Sequence, residues 1–137
     1  MTRPDDDRYV DGMRIRREVL GNEHVDRANA AVTPLTEVFQ AFITRTAWGD
    51  VWSRPGLDRR TRSCITLAIL TALRAEGEIA LHVQAAIRNG VTRQEIAEVL
   101  LHATIYAGVP AGNAAFAIAQ RALEESDAAT ATGSGER

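Results

Sequence analysis

Apolar side chains recur every three or four residues along most of this chain, which is the spacing of one face of an α-helix. The clearest run follows Thr33–Pro34 and comprises Leu35, Val38, Phe39, Phe42 and Ile43. No segment shows the strict alternation of apolar and polar residues that is typical of a half-buried strand. A chain of 137 residues has the size of one domain. We therefore expect an all-α fold, with a single compact domain of about six helices.

Local signals at the helix ends support this pattern. Thr92 and Glu95 have the spacing of a capping box, in which each side chain bonds to the backbone N–H of the other residue. The helix expected from Arg59 to about Ala75 is apolar on nearly all sides, so we expect neighbouring helices to cover it. We assign residues 1–126 to the helical domain and expect the small, polar residues 127–137 to form a disordered tail.

Composition and charge exclude several classes of protein. The chain has 16 basic and 18 acidic side chains, whereas a dedicated nucleic-acid binder is usually basic. No apolar run approaches the ~20 residues of a membrane span, and the acidic N-terminus is unlike a secretory signal. Every basic residue is arginine, which excludes a lysine Schiff base and a P-loop. The single Cys64 excludes an intramolecular disulfide. We expect a cytoplasmic protein that binds neither nucleic acid nor membranes.

Glu78 and His82 are four residues apart, so they share one face of an expected helix. A carboxylate beside an imidazole orients the ring and raises its pKa, which keeps a proton available for general-acid chemistry near neutral pH. A surface ion pair, or a structural histidine held by hydrogen bonds, would have the same spacing. The spacing therefore leaves a catalytic and a structural interpretation open.

Four arginines, Arg54, Arg59, Arg60 and Arg62, lie just before or within the first turn of a predicted helix. Backbone N–H groups at a helix N-terminus attract anions, and a guanidinium binds a carboxylate through two parallel hydrogen bonds. Arg59 and Arg62 are three residues apart and share a face, whereas Arg60 faces elsewhere. The cluster predicts an anion-binding site. The alternative is that these arginines pair with acidic side chains, namely Asp50, Asp58 or Glu98.

Aromatic and histidine side chains complete the candidate site. Trp48 and Trp52, the only tryptophans, lie near the arginines and could wall a site for a flat ring. The alternative is that they close one end of the core. His102 and Tyr106 are also four residues apart and either face the substrate or simply pack. We assign no role to His24, and because the three histidines lack the spacing of metal ligands, we expect no metal.

Three longer segments have a recognisable pattern. They are RIRREVLG at Arg14–Gly21, TAWGDVWSRPGLDRRTRS at Thr46–Ser63 and EIALHVQAAIRNGVTRQEIAEVLLHATIYAGVPAGNAAF at Glu78–Phe116. Together they resemble the 4-carboxymuconolactone decarboxylase family. The pattern E-x-x-x-H-x-x-x-A-x-x-x-G is shared with a wider superfamily of alkyl hydroperoxidase D-like proteins. Those peroxidases carry a CxxC ahead of the same histidine, where this chain has Ala75 and Glu78, so peroxidase chemistry is excluded.

The resemblance covers about residues 11–125 and implies an alkyl hydroperoxidase D-like helical subunit. It implies a homo-oligomer, either a hexamer or a trimer. It also implies a carboxy-lyase that converts 4-carboxymuconolactone to the β-ketoadipate enol-lactone in protocatechuate, that is aromatic, catabolism. No cofactor is implied, because the lactone itself accepts the electrons that the departing CO2 leaves behind. The implied partner is thus a small lactone dicarboxylate.

The resemblance also implies roles for the candidate residues. His82 would donate the proton or stabilise the oxyanion, and Glu78 would orient His82 or move the proton itself. Arg62, together with Arg59 or Arg54, would bind a substrate carboxylate or the developing oxyanion. The two tryptophans would form the apolar wall of the substrate site.

Two other functions stay open at this point. One is a related lyase or isomerase that acts on another lactone or keto acid. The other is a non-catalytic helical oligomer that binds an aromatic-acid metabolite. Turnover of a relative of the lactone would identify the first, and saturable binding without turnover would identify the second.

Overall fold

In a computed structural model of the chain, the backbone is described for residues 6–134 and the side chains for residues 7–131. All regular structure within this range is helical, so the all-α prediction is confirmed. The elements are α1 (Asp6–Leu20), α2 (Asn22–Ala30), α3 (Pro34–Ile43), a π-helical segment (Thr44–Val51), α4 (Arg59–Ala72), α5 (Glu76–Arg88), α6 (Arg93–Ala107) and α7 (Val109–Ser134). The sequence also predicts a helix start at Pro4, because proline suits the first helical turn and three aspartates follow it, but this residue lies outside the described residues. No described helix is long and apolar enough to cross a bilayer.

Thr33–Pro34 also has the pattern of an N-cap followed by the first helical residue, and this cap and the one predicted at Thr92 are both present. The Thr33 hydroxyl accepts a hydrogen bond from the backbone N–H of Thr36 at the start of α3. At the start of α6, the Thr92 hydroxyl accepts from the N–H of Glu95 at 3.1 Å, and Glu95 Oε1 accepts from the N–H of Thr92 at 3.0 Å. Both boxes satisfy N–H groups that have no partner within the helix.

The chain divides into two compact units, Met1–Arg59 and Arg60–Arg137. In the first unit, α1 packs closely on the π-helical segment. A Cβ atom on Gly12 would lie only 2.0 Å from the carbonyl oxygen of Thr44, and one on Gly49 would lie 2.7 Å from the carbonyl oxygen of Arg8. Both positions therefore need glycine, because any side chain would push the two backbones apart.

The core of the second unit joins α4, α5, α6 and α7. Its largest buried side chains are Leu67, Ile79, Val83, Ile96 and Leu100. Helix α7 contributes a stripe of buried alanines, namely Ala111, Ala115, Ala119 and Ala122. Because alanine side chains are short, α7 can pack closely against α5 and α6. The alanines thus belong to the packing inside this unit.

Two expectations about helices are wrong. Helix α4 buries Ser63, Leu67 and Thr71, whereas Ile69 on its opposite face is exposed. Helix α7 continues to Ser134, well into the segment expected to be disordered. Alanine in this segment favours helix, and its Asp127 accepts a hydrogen bond from Arg93 Nη1 at 3.1 Å. The remaining tail residues, 135–137, lie outside the described residues.

Candidate active site

The two tryptophans lie in the first unit, at and just after the π-helical segment. Their ring centroids are 5.1 Å apart, with an interplanar angle of 32°. Trp48 is buried and Trp52 is half-buried. Trp48 therefore contributes to the core of this unit, whereas Trp52 keeps part of its ring exposed. Short π-helical stretches are frequent at functional sites, because the extra residue in the turn changes the direction in which side chains point.

The arginines just before and at the start of α4 have different surroundings. Arg59 Nη1 lies 2.7 Å from Glu18 Oε2, within the first unit, and Glu18 also accepts from Arg14 Nη1 at 3.1 Å. The hydrogen bond from Arg59 is the largest of the effects that lower the pKa of the Glu18 carboxyl. Arg54 is exposed in the loop that precedes α4. Arg59 would have to leave Glu18 in order to bind a substrate carboxylate.

The other two arginines of this cluster belong to the second unit. Arg60 pairs with Glu95, the residue that also caps α6, and is thus held at the surface of its own unit. Arg62 is half-buried in the first turn of α4, and its Nε atom is enclosed by protein. Beside it, the Asn89 amide donates to the buried Ser63 hydroxyl at 2.9 Å. Arg59 and Arg62 are thus both half-buried in the first turn of α4, but Arg59 already pairs with Glu18.

Glu78 and His82 occupy successive turns of α5, as their spacing predicts. They flank the buried stripe formed by Ile79 and Val83. His82 is half-buried with its Nδ1 atom enclosed, whereas Glu78 is exposed in the first turn. Within the described residues, no hydrogen bond or ion pair joins the Glu78 carboxylate to another side chain. The two groups share a face but are not hydrogen-bonded to each other.

His102 and Tyr106 stack on the outer face of α6, with ring centroids 5.2 Å apart. Both side chains are exposed, and neither packs in the core. His102 also lines an open groove of about 410 Å³ together with Cys64, Ile65 and Glu98. Within the described residues, no group of three histidine, cysteine, aspartate or glutamate side chains is placed to hold a metal ion.

Comparison with known proteins settles the family. Residues 37–121 match the sequence model of the carboxymuconolactone decarboxylase family. The chain is 47% identical over 121 residues to a 4-carboxymuconolactone decarboxylase of Acinetobacter baylyi. The aligned region covers 88% of this chain and 90% of that protein. The chain belongs to the carboxymuconolactone decarboxylase family. The resemblance seen in the sequence is thus confirmed, and all the candidate site residues lie inside the matched range.

Two further relatives are also named as decarboxylases, one of them of a different substrate. The chain is 44% identical over 117 residues to the nitrosuccinic acid decarboxylase of Metarhizium robertsii. The aligned region covers 85% of this chain and 82% of that protein. It is 49% identical over 43 residues to a 4-carboxymuconolactone decarboxylase of Pseudomonas putida. This aligned region covers 31% of this chain and 90% of that sequence. Each of these relatives is named as a decarboxylase of an organic acid.

The sequence interpretation missed Arg16, a buried arginine of the first unit. Only 4% of its surface is exposed. The sequence does contain a signal for its burial, namely its position in the helical pattern. Arg16 lies on the stripe of α1 that also carries the buried Ile15, Val19 and Leu20. A charged residue on a core-facing stripe is rare unless it is paired or functional. Arg16 precedes the range that the family model matches.

Proposed function

We propose that this protein is a carboxy-lyase that decarboxylates 4-carboxymuconolactone to the β-ketoadipate enol-lactone without a cofactor. The observation that carries the proposal is the 47% identity to a 4-carboxymuconolactone decarboxylase over nearly the full length of both proteins. The presence of Glu78 and His82 on one face of α5 supports an enzyme rather than a binding module. Protocatechuate catabolism would place the enzyme in the cytoplasm, which agrees with its one free cysteine, Cys64.

The substrate supplies its own electron sink. When the carbon–carboxylate bond breaks, the electron pair left on the ring carbon spreads through the ring double bond to the lactone carbonyl. The carbonyl oxygen becomes a dienolate oxygen, and one proton must then reach the carbon beside the carbonyl. The protein therefore has to bind two carboxylates, stabilise one oxyanion and deliver one proton.

His82 is the side chain to which we assign the proton transfer. It is half-buried beside the stripe of Ile79 and Val83, where a general acid is shielded from bulk water. Glu78 is exposed and makes no hydrogen bond to His82, so we assign it to proton exchange with solvent rather than to holding the ring. Substrate binding could still draw the carboxylate toward the imidazole, because catalytic hydrogen bonds often form only in the complex.

Arg62 is the cation to which we assign the substrate acetate arm or the lactone oxygen. Its position in the first turn of α4 adds its charge to the positive end of the helix dipole. An arginine that gripped the departing carboxylate would stabilise the ground state and slow the loss of CO2. Arg59 and Arg54 would assist, Arg59 only after releasing Glu18. Trp48 and Trp52 would form an apolar wall.

A homo-oligomer, either a hexamer or a trimer, is also part of the proposal. Helix α3 exposes Leu35, Val38, Phe39 and Phe42 along one side, and α6 exposes Leu101, Ile105 and Tyr106. Contiguous apolar surface of this kind is rare on a monomer. Analytical ultracentrifugation at micromolar concentration tests this directly, and a sedimenting species of 14.9 kDa would refute the assembly.

The decisive assay follows ultraviolet absorbance and CO2 release from freshly generated 4-carboxymuconolactone, in EDTA and without added cofactor. We expect turnover by the wild type and a loss of about 100-fold or more in His82→Ala. His24→Ala is the matched control, because His24 lies on α2 and has no assigned role. Wild-type rates in His82→Ala would refute its assignment.

A second substrate separates the proposal from its alternatives. Nitrosuccinic acid, the substrate named for the Metarhizium relative, is offered in parallel. Turnover of nitrosuccinic acid but not of the lactone would show that the protein is a decarboxylase of the same family with a different substrate. Saturable lactone binding with no turnover of either compound would refute the enzyme and favour a metabolite-binding oligomer.

A further inference from the structure

The first unit contains a cavity of about 330 Å³ that the proposed function does not use. This volume is at the lower end of the range for small-molecule sites. The polar and charged side chains that line it include Tyr9, Arg16, Asn29, Glu37, Gln40 and Arg45. All but Glu37 bring hydrogen-bond donors, and two of them are cations. The lining therefore suits a ligand that accepts hydrogen bonds and carries negative charge.

Arg16 is the buried cation of this cavity. Its Nη1 donates to the Thr44 hydroxyl at 3.4 Å and its Nη2 donates to the Gln40 side-chain oxygen at 3.1 Å. Its Nε atom is buried and donates no hydrogen bond. Among the described side chains, no carboxylate forms an ion pair with Arg16, although buried charges in proteins are normally paired. Neutral oxygens alone thus hold this guanidinium, and one of its donors is unused.

The charge on Arg16 persists at neutral pH. Burial lowers the pKa of the guanidinium from its ordinary value, but an arginine in a protein effectively always stays protonated. A second cation stands nearby, since the Cζ atom of Arg45 lies 5.5 Å from the centre of the Tyr9 ring. The Gln40 oxygen accepts from Arg16, which leaves the amide N–H groups of Gln40 as donors.

We propose that this cavity binds a small organic carboxylate, with Arg16 as its principal partner. A carboxylate has only acceptors, so it complements a lining in which every polar side chain except Glu37 can donate a hydrogen bond. It would also supply the counter-charge that Arg16 lacks. Glu37 is the one lining group that opposes an anion, and it is exposed. The site goes beyond the proposed function, because none of the residues that line it has a role in that function.

Isothermal titration calorimetry of the full chain with sodium succinate tests the proposal. Sodium chloride keeps the ionic strength constant, and succinamide serves as the neutral analogue of the probe. We expect succinate to bind at one site per chain and succinamide not to bind. Loss of one charge-assisted hydrogen bond corresponds to about tenfold or more in affinity, so we expect at least that loss in Arg16→Gln. We expect Glu37→Gln to bind succinate more tightly.

Gln40→Glu is a second variant that tests the proposal even if Arg16→Gln fails to fold. This change puts a carboxylate oxygen where the Gln40 oxygen already accepts from Arg16. The new carboxylate would pair with Arg16, so we expect a higher Tm without ligand and a loss of succinate affinity of about tenfold or more. Gln94→Glu makes the same chemical change at an exposed position of α6 and should leave the affinity unchanged.

Three results would overturn the proposal. The first is that the wild type binds no succinate, or binds succinamide equally well. The second is that Gln40→Glu binds succinate as tightly as the wild type does. The third is that binding persists in Gln40→Glu and disappears in Arg62→Gln, which would assign it to the proposed catalytic residues. None of these measurements depends on lactone turnover, so the two proposals can fail separately.

Discussion

Gly12→Ala should destabilise the first unit because α1 and the π-helical segment touch through their backbones. The added Cβ atom would lie 2.0 Å from the carbonyl oxygen of Thr44, 3.0 Å from its carbonyl carbon and 3.1 Å from the Gly49 nitrogen. None of these atoms belongs to a side chain, so no change of rotamer relieves the contact. The helix must move away from the segment that carries Trp48, and the Arg16–Thr44 hydrogen bond must lengthen.

The size of the effect follows from two opposing terms. Overpacking costs about 1–3 kcal/mol, and we take the upper end because both partners are backbone. Alanine in place of glycine within a helix raises the free energy of unfolding by about 1 kcal/mol, because alanine favours the helix more. The net loss is therefore about 2 kcal/mol. An unfolding entropy of about 2.1 cal/mol/K per residue over 137 residues converts this loss to a fall in Tm of about 7 °C.

The assay combines circular dichroism with tryptophan fluorescence in thermal melts at one protein concentration. Both tryptophans lie in the first unit, so fluorescence follows the part of the chain that carries the substitution. Gly77→Ala is the matched control, because Gly77 is helical and a Cβ atom there would meet nothing within 4 Å. We expect this control to melt at or above the wild-type temperature. A Gly12→Ala protein that melts as high as the wild type would refute the close-packing argument.

Three further predictions concern other contacts. Two arginines lower the pKa of Glu18 from 4.5, so its stabilising contribution is present above pH 4.5 and is lost as the pH falls through its folded pKa. In denaturant titrations below pH 4.5, the free energy of unfolding should therefore fall less steeply with pH in Glu18→Gln than in the wild type. Gly112→Ala should lower the Tm, because its Cβ atom would lie 2.0 Å from Thr104 Oγ1 and 2.8 Å from Thr104 Cβ. A Thr104→Ala background should reduce this loss of Tm. Asp127→Asn should speed amide hydrogen exchange in the last turns of α7, because it weakens the contact with Arg93; unchanged exchange would show that the pair does not hold this end.

The features that the sequence predicts correctly are those determined by near neighbours in the chain. The helix starts at Pro34 and Arg93 depend on hydrogen bonds between residues three apart, from Thr33 to Thr36 and from Thr92 to Glu95. The shared face of Glu78 and His82 depends only on helical periodicity. For these features the local pattern contains all the necessary information.

The π-helical segment, in contrast, could not be predicted from its own residues. The apolar spacing after Pro34 predicts an ordinary helix that ends near Trp48, whereas the wider turn begins at Thr44. Its backbone lies against Gly12, more than 30 residues away in the chain. Packing against a distant helix therefore contributes to its conformation, and local propensity does not encode that contact.

The arginines show why a candidate site is harder to predict than a fold. All of them look alike in the sequence, yet Arg59 pairs with Glu18, 41 positions earlier, and Arg60 pairs with Glu95, 35 positions later. Arg16 instead lies on a core-facing stripe and has only neutral oxygens as partners. An arginine that already pairs with a carboxylate must exchange that partner to bind a substrate, whereas a buried arginine held by neutral groups gains a counter-charge from an anion. The charge alone does not distinguish the two cases, and the distinction depends on long-range contacts that only the folded chain provides.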